Sequence, residues 1–165
     1  MKKIFLVISL TILPLLVFSQ NEKLKAVFIY NFTKYISWPA GQSGDFTIGV
    51  LGSPAMSQEL KGYVASRKVG TMSIKVVDFA SAGALQNCHL VYIPASNNGS
   101  LGSVISKYKT SPVVVVADSP GSIDSGAGIN FIVDGGKQKF EVRKANLEKN
   151  GLKVNSELLK MGIVK

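Results

Sequence analysis

Apolar positions along this chain recur in two different rhythms, and the clearest is helical. At about 100° per residue, Leu24, Phe28, Ile29, Phe32, Tyr35 and Ile36 of the stretch Lys23 to Pro39 fall on one arc, wide enough to face a sheet or core. Lys23, Asn31, Thr33, Lys34 and Ser37 fall on the other side. Val27 and Tyr30 sit among these polar residues. They fit either of two pictures: singly exposed apolar residues, which are normal on any surface, or a second helix face meant for a partner. Trp38 before Pro39 is expected to close the helix, because the residue before a proline is pushed out of the α region.

The second rhythm is that of short apolar, β-branched runs. Phe46 to Leu51, Met72 to Val77, Cys88 to Ile93 and Val113 to Ala117 read as strands. The last is continuously apolar, as a strand buried on both faces of a parallel sheet should be. Between them, Ser53 and Pro54 are placed as N-cap and first residue of a helix running to about Ser66. Ser81 to Gln86 reads as a short helix or turn. Leu101, Val104, Ile105 and Tyr108 give helical spacing over Leu101 to Tyr108.

Beyond Asp118 the rhythm changes. Ser119 to Gly128 is a Gly/Ser-rich loop, and Asp134-Gly135-Gly136 between two apolar-bearing runs signals a hairpin. Lys144 to Asn150 reads as a helix capped by Gly151, Val154 as a short strand, and Ser156 as the cap of a last helical turn. The expected fold class is α/β, a layered sheet that is mostly parallel and ends in a C-terminal antiparallel hairpin. No repeat or linker divides it, so residues 20–165 form one domain.

The first 19 residues stand apart. Lys2-Lys3 followed by the apolar run Ile4 to Phe18, with small residues before Gln20, reads as a secretory signal peptide over residues 1–19. A retained anchor is the alternative, though the run is short for a span and Pro14 interrupts it. Nineteen basic against ten acidic residues give the chain a net charge of +9, and the leader takes two lysines with it. Such a balance favours anionic partners. Export argues against nucleic acid, and no block of clustered basic residues follows the leader. Cys88 is the one cysteine; within an apolar segment it is expected to be a buried, inert thiol.

Candidate chemistry is sparse. Gly49-Val50-Leu51-Gly52-Ser53-Pro54 carries a strand into a helix N-terminus, a corner able to bind phosphate, but the full glycine fingerprint of dinucleotide folds is missing. Gly52 and Ser53 therefore stand as candidate ligand-binding residues rather than as a cofactor site. His89 is the only histidine; with no ligand cluster and no nucleophile elbow beside it, it is expected to be a hydrogen-bonded strand residue. Glu141 and Arg143 alternate with Phe140 and Val142, so they share a face. An ion pair between them is the default expectation, and a ligand-facing role is the other. Val27, Tyr30, Asn31, Lys34 and Trp38 are the candidate partner-binding residues. No catalytic, cofactor or metal site is expected.

Several blocks together carry a resemblance. Lys25-Ala-Val-Phe-Ile-Tyr-Asn-Phe-Thr-Lys-Tyr-Ile-Ser-Trp-Pro39 resembles the opening signature of YfiR-like proteins, which are exported bacterial regulators. The match continues through Ile48 to Gly52, Cys88 to Ile93, Ile129 to Phe131, Gly136 to Val142 and Gly151 to Leu159. The first block is specific; the others are weak alone. The resemblance implies a Rossmann-like α/β domain without catalytic activity that acts in the periplasm. It further implies binding to the outward-facing sensor domain of a membrane diguanylate cyclase or related signalling protein, and so control of cyclic di-GMP, with a homodimer left open. Cysteine pairs support redox control in some members; here Cys88 matches a family cysteine, but the first strand offers Gly49, Val50 and Leu51 and no partner. The alternative function is a periplasmic small-molecule-binding protein that uses the corner after Leu51 and the loop from Ser119 to Gly128.

Overall fold

Parallel strands buried on both faces form the centre of this protein, whose computed structural model describes residues 21–165. The expected leader over residues 1–19 lies outside the described residues. Strand β2 (Phe46–Leu51) pairs in parallel with β4 (Met72–Phe79) on one side and β5 (Leu90–Ile93) on the other. The ladder continues in parallel through β6 (Val114–Ala117) to β7 (Ile129–Asp134). It then turns antiparallel into β8 (Lys137–Val142) across the expected hairpin. The two-residue strands β3 (Lys68–Val69) and β10 (Ile163–Val164) close the edges, giving the order β10-β8-β7-β6-β5-β2-β4-β3. The fold class is thus α/β with a mostly parallel sheet and a C-terminal antiparallel hairpin, as the sequence implies. Gly135 and Gly136 turn that hairpin at φ 58° and 72°, values that a side chain would resist.

Alternation along the central strands assigns each residue to a layer. Ile48, Val50, Leu90, Tyr92, Val114, Val116, Ile129 and Phe131 face one side. There they meet helix α1 (residues 21–35), α2 (Pro54–Val64), α4 (Lys144–Glu148) and α5 (Ser156–Met161). Leu51, Val91, Ile93, Val113, Val115 and Ala117 face the other side and pack on α3 (Leu101–Lys107). No helix among the described residues is long and apolar enough to cross a membrane.

The aromatic stretch departs from expectation at both ends. Its helix stops at residue 35, short of Trp38-Pro39, and Ile36–Ser37 forms strand β1, paired antiparallel with β9 (Lys153–Val154). The Asn155 N–H also donates to the Tyr35 carbonyl at 2.8 Å. This distant pairing draws off residues that a helical wheel would keep in register. The buried stripe is rotated too: Lys25, Ala26, Ile29, Phe32 and Thr33 are buried, while Leu24 is 42% exposed. At the other end of the chain the last helix is capped by Asn155, whose side chain accepts from the Glu157 N–H at 2.9 Å, rather than by Ser156.

Candidate functional site

Where β6 ends, its neighbour β7 runs on, paired only with β8. Register pairing between β6 and β7 stops at Ala117–Asn130, and the splayed strand ends leave a cavity of about 400 Å³ roofed by the first turn of α1. Lys25 turns into it from the helix. Its Nζ donates to Asp118 Oδ2 at 2.5 Å, and the Tyr92 hydroxyl donates to the same oxygen at 2.9 Å. Glu22 Oε1 stands 3.8 Å from the same ammonium. Burial pushes the Glu22 carboxyl above its ordinary range, with Lys25 pulling the other way. Burial raises the Tyr92 phenol further still, beside the Asp118 charge, so Tyr92 serves only as a donor. The cluster sets one buried ammonium against two carboxylates, with an opening toward Gln138 and Glu141.

Glu141 does reach this cavity, but Arg143 does not. The expected Glu141–Arg143 ion pair is replaced by separate partners. Glu141 accepts from Asn130 Nδ2 at 3.2 Å and pairs with Lys165 at 3.0 Å. Arg143 pairs with Asp124 at 2.7 Å and donates to the Ile123 carbonyl at 3.3 Å. With Asn146, which donates to the Ile123 and Ala127 carbonyls, Arg143 ties down the loop between β6 and β7. Pro120 and Gly121 of that loop line the cavity.

The Gly52–Ser53 corner lies at the carboxyl end of β2, beside the point where strand order reverses between β4 and β5, the usual ligand crevice of such sheets. Here a side chain fills it. A Cβ on Gly52 would stand 2.7 Å from Asn97 Nδ2, so the glycine lets the Asn97 amide close over the corner. Ser53 caps α2, accepting from the Met56 N–H.

The five partner-binding candidates divide. Val27 lines a groove of about 260 Å³ between α1 and α2 with Lys23, Ala26, Glu59, Gly62 and Tyr63. Tyr30 meets Tyr63 edge-on at 5.8 Å and 70°. Lys34 lies 4.7 Å over the Tyr30 ring, and Arg67 lies 4.0 Å over Tyr63. Asn31 is half-buried one residue along. Trp38 is elsewhere: it stands edge-on to Phe46 at 4.8 Å and donates from its indole to the His89 carbonyl at 3.1 Å. Tyr63 and Arg67 complete the aromatic patch without having been singled out in the sequence. Nothing local to Tyr63 or Arg67 in the sequence marks them for such a patch; only the packing of α2 against α1 brings them beside Tyr30.

His89 is a structural residue of the strand entrance. Its Nδ1 accepts from the Thr47 N–H at 3.0 Å, so the ring proton sits on Nε2, 3.2 Å from Gln42 Oε1. The ring stacks on Phe46 at 4.6 Å, and burial lowers its pKa. Cys88 is buried with its thiol pKa raised by desolvation, the opposite of an activated thiolate. Gly49 is its neighbour on β2: a Cβ there would come within 2.9 Å of the sulfur.

Comparison with known proteins bears first on the fold. A conserved domain protein from Vibrio cholerae O1 biovar El Tor has a similar structure, with a TM-score of 0.61 at 13% identity over 87% of this chain and 60% of that one. The ABC domain in complex with L-Trp from Streptococcus pneumonia gives 0.54 at 15% identity, over 72% and 55%. The chain therefore spans little more than half the length of either structure, and at such identities the likeness is one of fold. No curated protein matches the sequence. Residues 22–163 match the YfiR/HmsC-like family, and the chain belongs to that family, whose members are generally non-catalytic regulators of diguanylate cyclases.

Proposed function

We propose that this protein is an exported regulatory domain that acts in the periplasm. In this reading it binds the extracytoplasmic part of a membrane diguanylate cyclase, or of a related signalling protein, and holds it in one state. The observation that carries the proposal is the family match, which runs from the first turn of α1 to β10. The aromatic patch on α1 and α2 supports it, since tyrosine and arginine are the residues most enriched where protein interfaces concentrate their binding energy. Affinity capture with the domain lacking residues 1–19, from solubilised membranes of the cell that makes it, is the test. Retention of a membrane sensor with a cytoplasmic signalling domain is expected. Recovery of none under several salt and detergent conditions would overturn the proposal.

A second reading, a small-molecule-binding domain, is favoured by the cavity beside Lys25 and Asp118. It shares the Gly/Ser loop and Glu141 with the ligand site expected from the sequence, but not Gly52, Ser53 or Arg143. A thermal-shift screen separates the two readings, because a ligand that binds only the folded state raises the melting temperature.

A further inference from the structure

Basic residues in this chain are distributed unevenly between satisfied and unsatisfied surroundings. The ion pairs among the described residues lie within residues 118–165, within the first turn of α1, or between the two. None involves Lys23, Lys34, Lys61, Arg67 or Lys68, which belong to α1, α2, the turn after it and the start of β3; six other lysines, spread singly over the rest of the fold, are also in none of these pairs. Beyond Glu22, those elements carry Glu59 as their one carboxylate. The α1–α2 flank is thus a basic surface whose charges the rest of the described fold leaves unneutralised.

The groove between the two helices gives that charge a shape. On α1, Lys23, Val27, Tyr30 and Lys34 follow i, i+4, i+7 and i+11, a single stripe roughly 16 Å long at the rise of an α-helix. Glu59 and Tyr63 of α2, and then Arg67 of the turn that follows it, run alongside. Ala26 and Gly62 leave the middle open, and a Cβ on Gly62 would meet nothing within 4 Å. An apolar slot therefore leads to a wall of two tyrosine rings under two cations.

We propose that this groove docks an acidic polypeptide segment of the partner, one bulky apolar side chain seated over Gly62 and its carboxylates on Lys34 and Arg67. The proposal rests on the regulatory reading above and names where, and through what chemistry, the partner is held. Charge complementarity selects the occupant. A second copy of this chain would bring more positive charge to a positive surface. A bilayer would take up exposed apolar residues, but the large ones, Leu24, Val133, Met161 and Val164, line none of this groove.

The probe is a fluorescein-labelled peptide, Asp-Glu-Leu-Phe-Glu-Asp, titrated into the domain lacking residues 1–19 with anisotropy as the readout. Gly62→Leu fills the slot and substitutes a better helix former, so it leaves the melting temperature no lower than wild type. Gly62→Leu and Lys34→Glu are each expected to weaken binding by about tenfold or more, the scale of a central interface contact. Lys160→Glu, away from the groove, is expected to change it by less than about twofold, and added salt should weaken binding throughout. No binding by wild type, equal binding by folded Gly62→Leu, or tighter association with phosphatidylglycerol vesicles than with the peptide would each overturn the proposal. Membrane capture keeps the two readings apart. A sensor retained equally by wild type and Gly62→Leu sinks the groove and leaves the regulatory reading standing. Peptide binding that is lost in Gly62→Leu, with no sensor retained by wild type, sinks the regulatory reading and leaves the groove standing.

Discussion

Lys25 and Lys34 stand on the same helix, yet the first is buried against Asp118 and Tyr92 while the second lies exposed over the Tyr30 ring. The contrast teaches that the two ends of α1 are held by different physics. At the Lys25 end, charges withdrawn from water depend on each other, and losing one strands the rest. At the Lys34 end a hydrated ammonium rests on an aromatic face, where little is lost if it leaves. The first end fixes where the helix sits; the second is free to exchange its water for a partner.

The sharpest way to break this comparison is to remove Asp118. Asp118→Ala leaves the Lys25 ammonium and the Tyr92 hydroxyl without their shared acceptor, and the expected loss is about 3–5 kcal/mol, read from urea unfolding. A loss under about 1 kcal/mol would mean that Lys25 swings out to water and that the two ends are alike after all. Replacing both Lys25 and Asp118 by apolar residues should recover much of the loss, since a buried pair is often no better than a packed apolar one.

This buried network also marks where the sequence stops speaking. The sheet was legible because each of its central strands carries a local signal: Val113 to Ala117 is apolar throughout, and Asp134-Gly135-Gly136 can hardly be anything but a turn. Lys25, Tyr92 and Asp118 come from three separate stretches, and only the fold brings them together. Asp118 in turn explains why Lys25 lies inward and Leu24 outward, against the wheel's placement of Leu24: a carboxylate at the end of β6 rewards turning the lysine in. The β1–β9 pairing was hidden for a similar reason: Val154 reads as a short strand and β9 forms there, but nothing in Ile36–Ser37 advertises a partner over a hundred positions away. On the exposed flank, by contrast, Val27 and Tyr30 were recognisable as apolar residues out of phase. What could not be read was Tyr63 of α2 and Arg67 of the turn after it arriving beside them.

Tyr30→Ala probes the exposed end next. Tyr30 is half-buried and meets Tyr63 edge-on, so its loss combines an aromatic pair with modest apolar burial, about 1–2 kcal/mol in all. The variant should fold, with an unchanged far-ultraviolet circular dichroism spectrum, and should retain less of any membrane partner. Global unfolding would show that this face is core and not surface.

A pH titration tests the far end of the same stretch, where Trp38 holds the His89 carbonyl. Burial lowers the folded-state pKa of His89 below its ordinary 6.5. As pH falls through 6.5 the unfolded chain therefore takes up a proton that the folded chain refuses, and stability declines until the folded-state pKa is reached. Protonation would also cost Nδ1 its acceptor role toward the Thr47 N–H. A melting temperature that drops between pH 7.5 and 5.5, with the drop flattened in His89→Asn, is the expected result. It should be smaller than the fall caused by Tyr30→Ala, because one ring and one hydrogen bond are at stake.

Lys34→Ala should do least to the fold. An exposed cation over a tyrosine contributes about 0.5–1 kcal/mol at most, and Arg67, 5.5 Å from the same ring, remains to cover it. A change in unfolding free energy below about 0.5 kcal/mol is therefore expected, an order of magnitude less than for Asp118→Ala, which strands Lys25 at the other end of the same helix. Partner retention should respond in the opposite proportion, since Lys34 faces outward and Asp118 does not. If Lys34→Ala instead destabilises the protein as much as Tyr30→Ala does, the ammonium is bracing the α1–α2 contact from outside. The flank would then be a structural seam with no charge to spare for a partner.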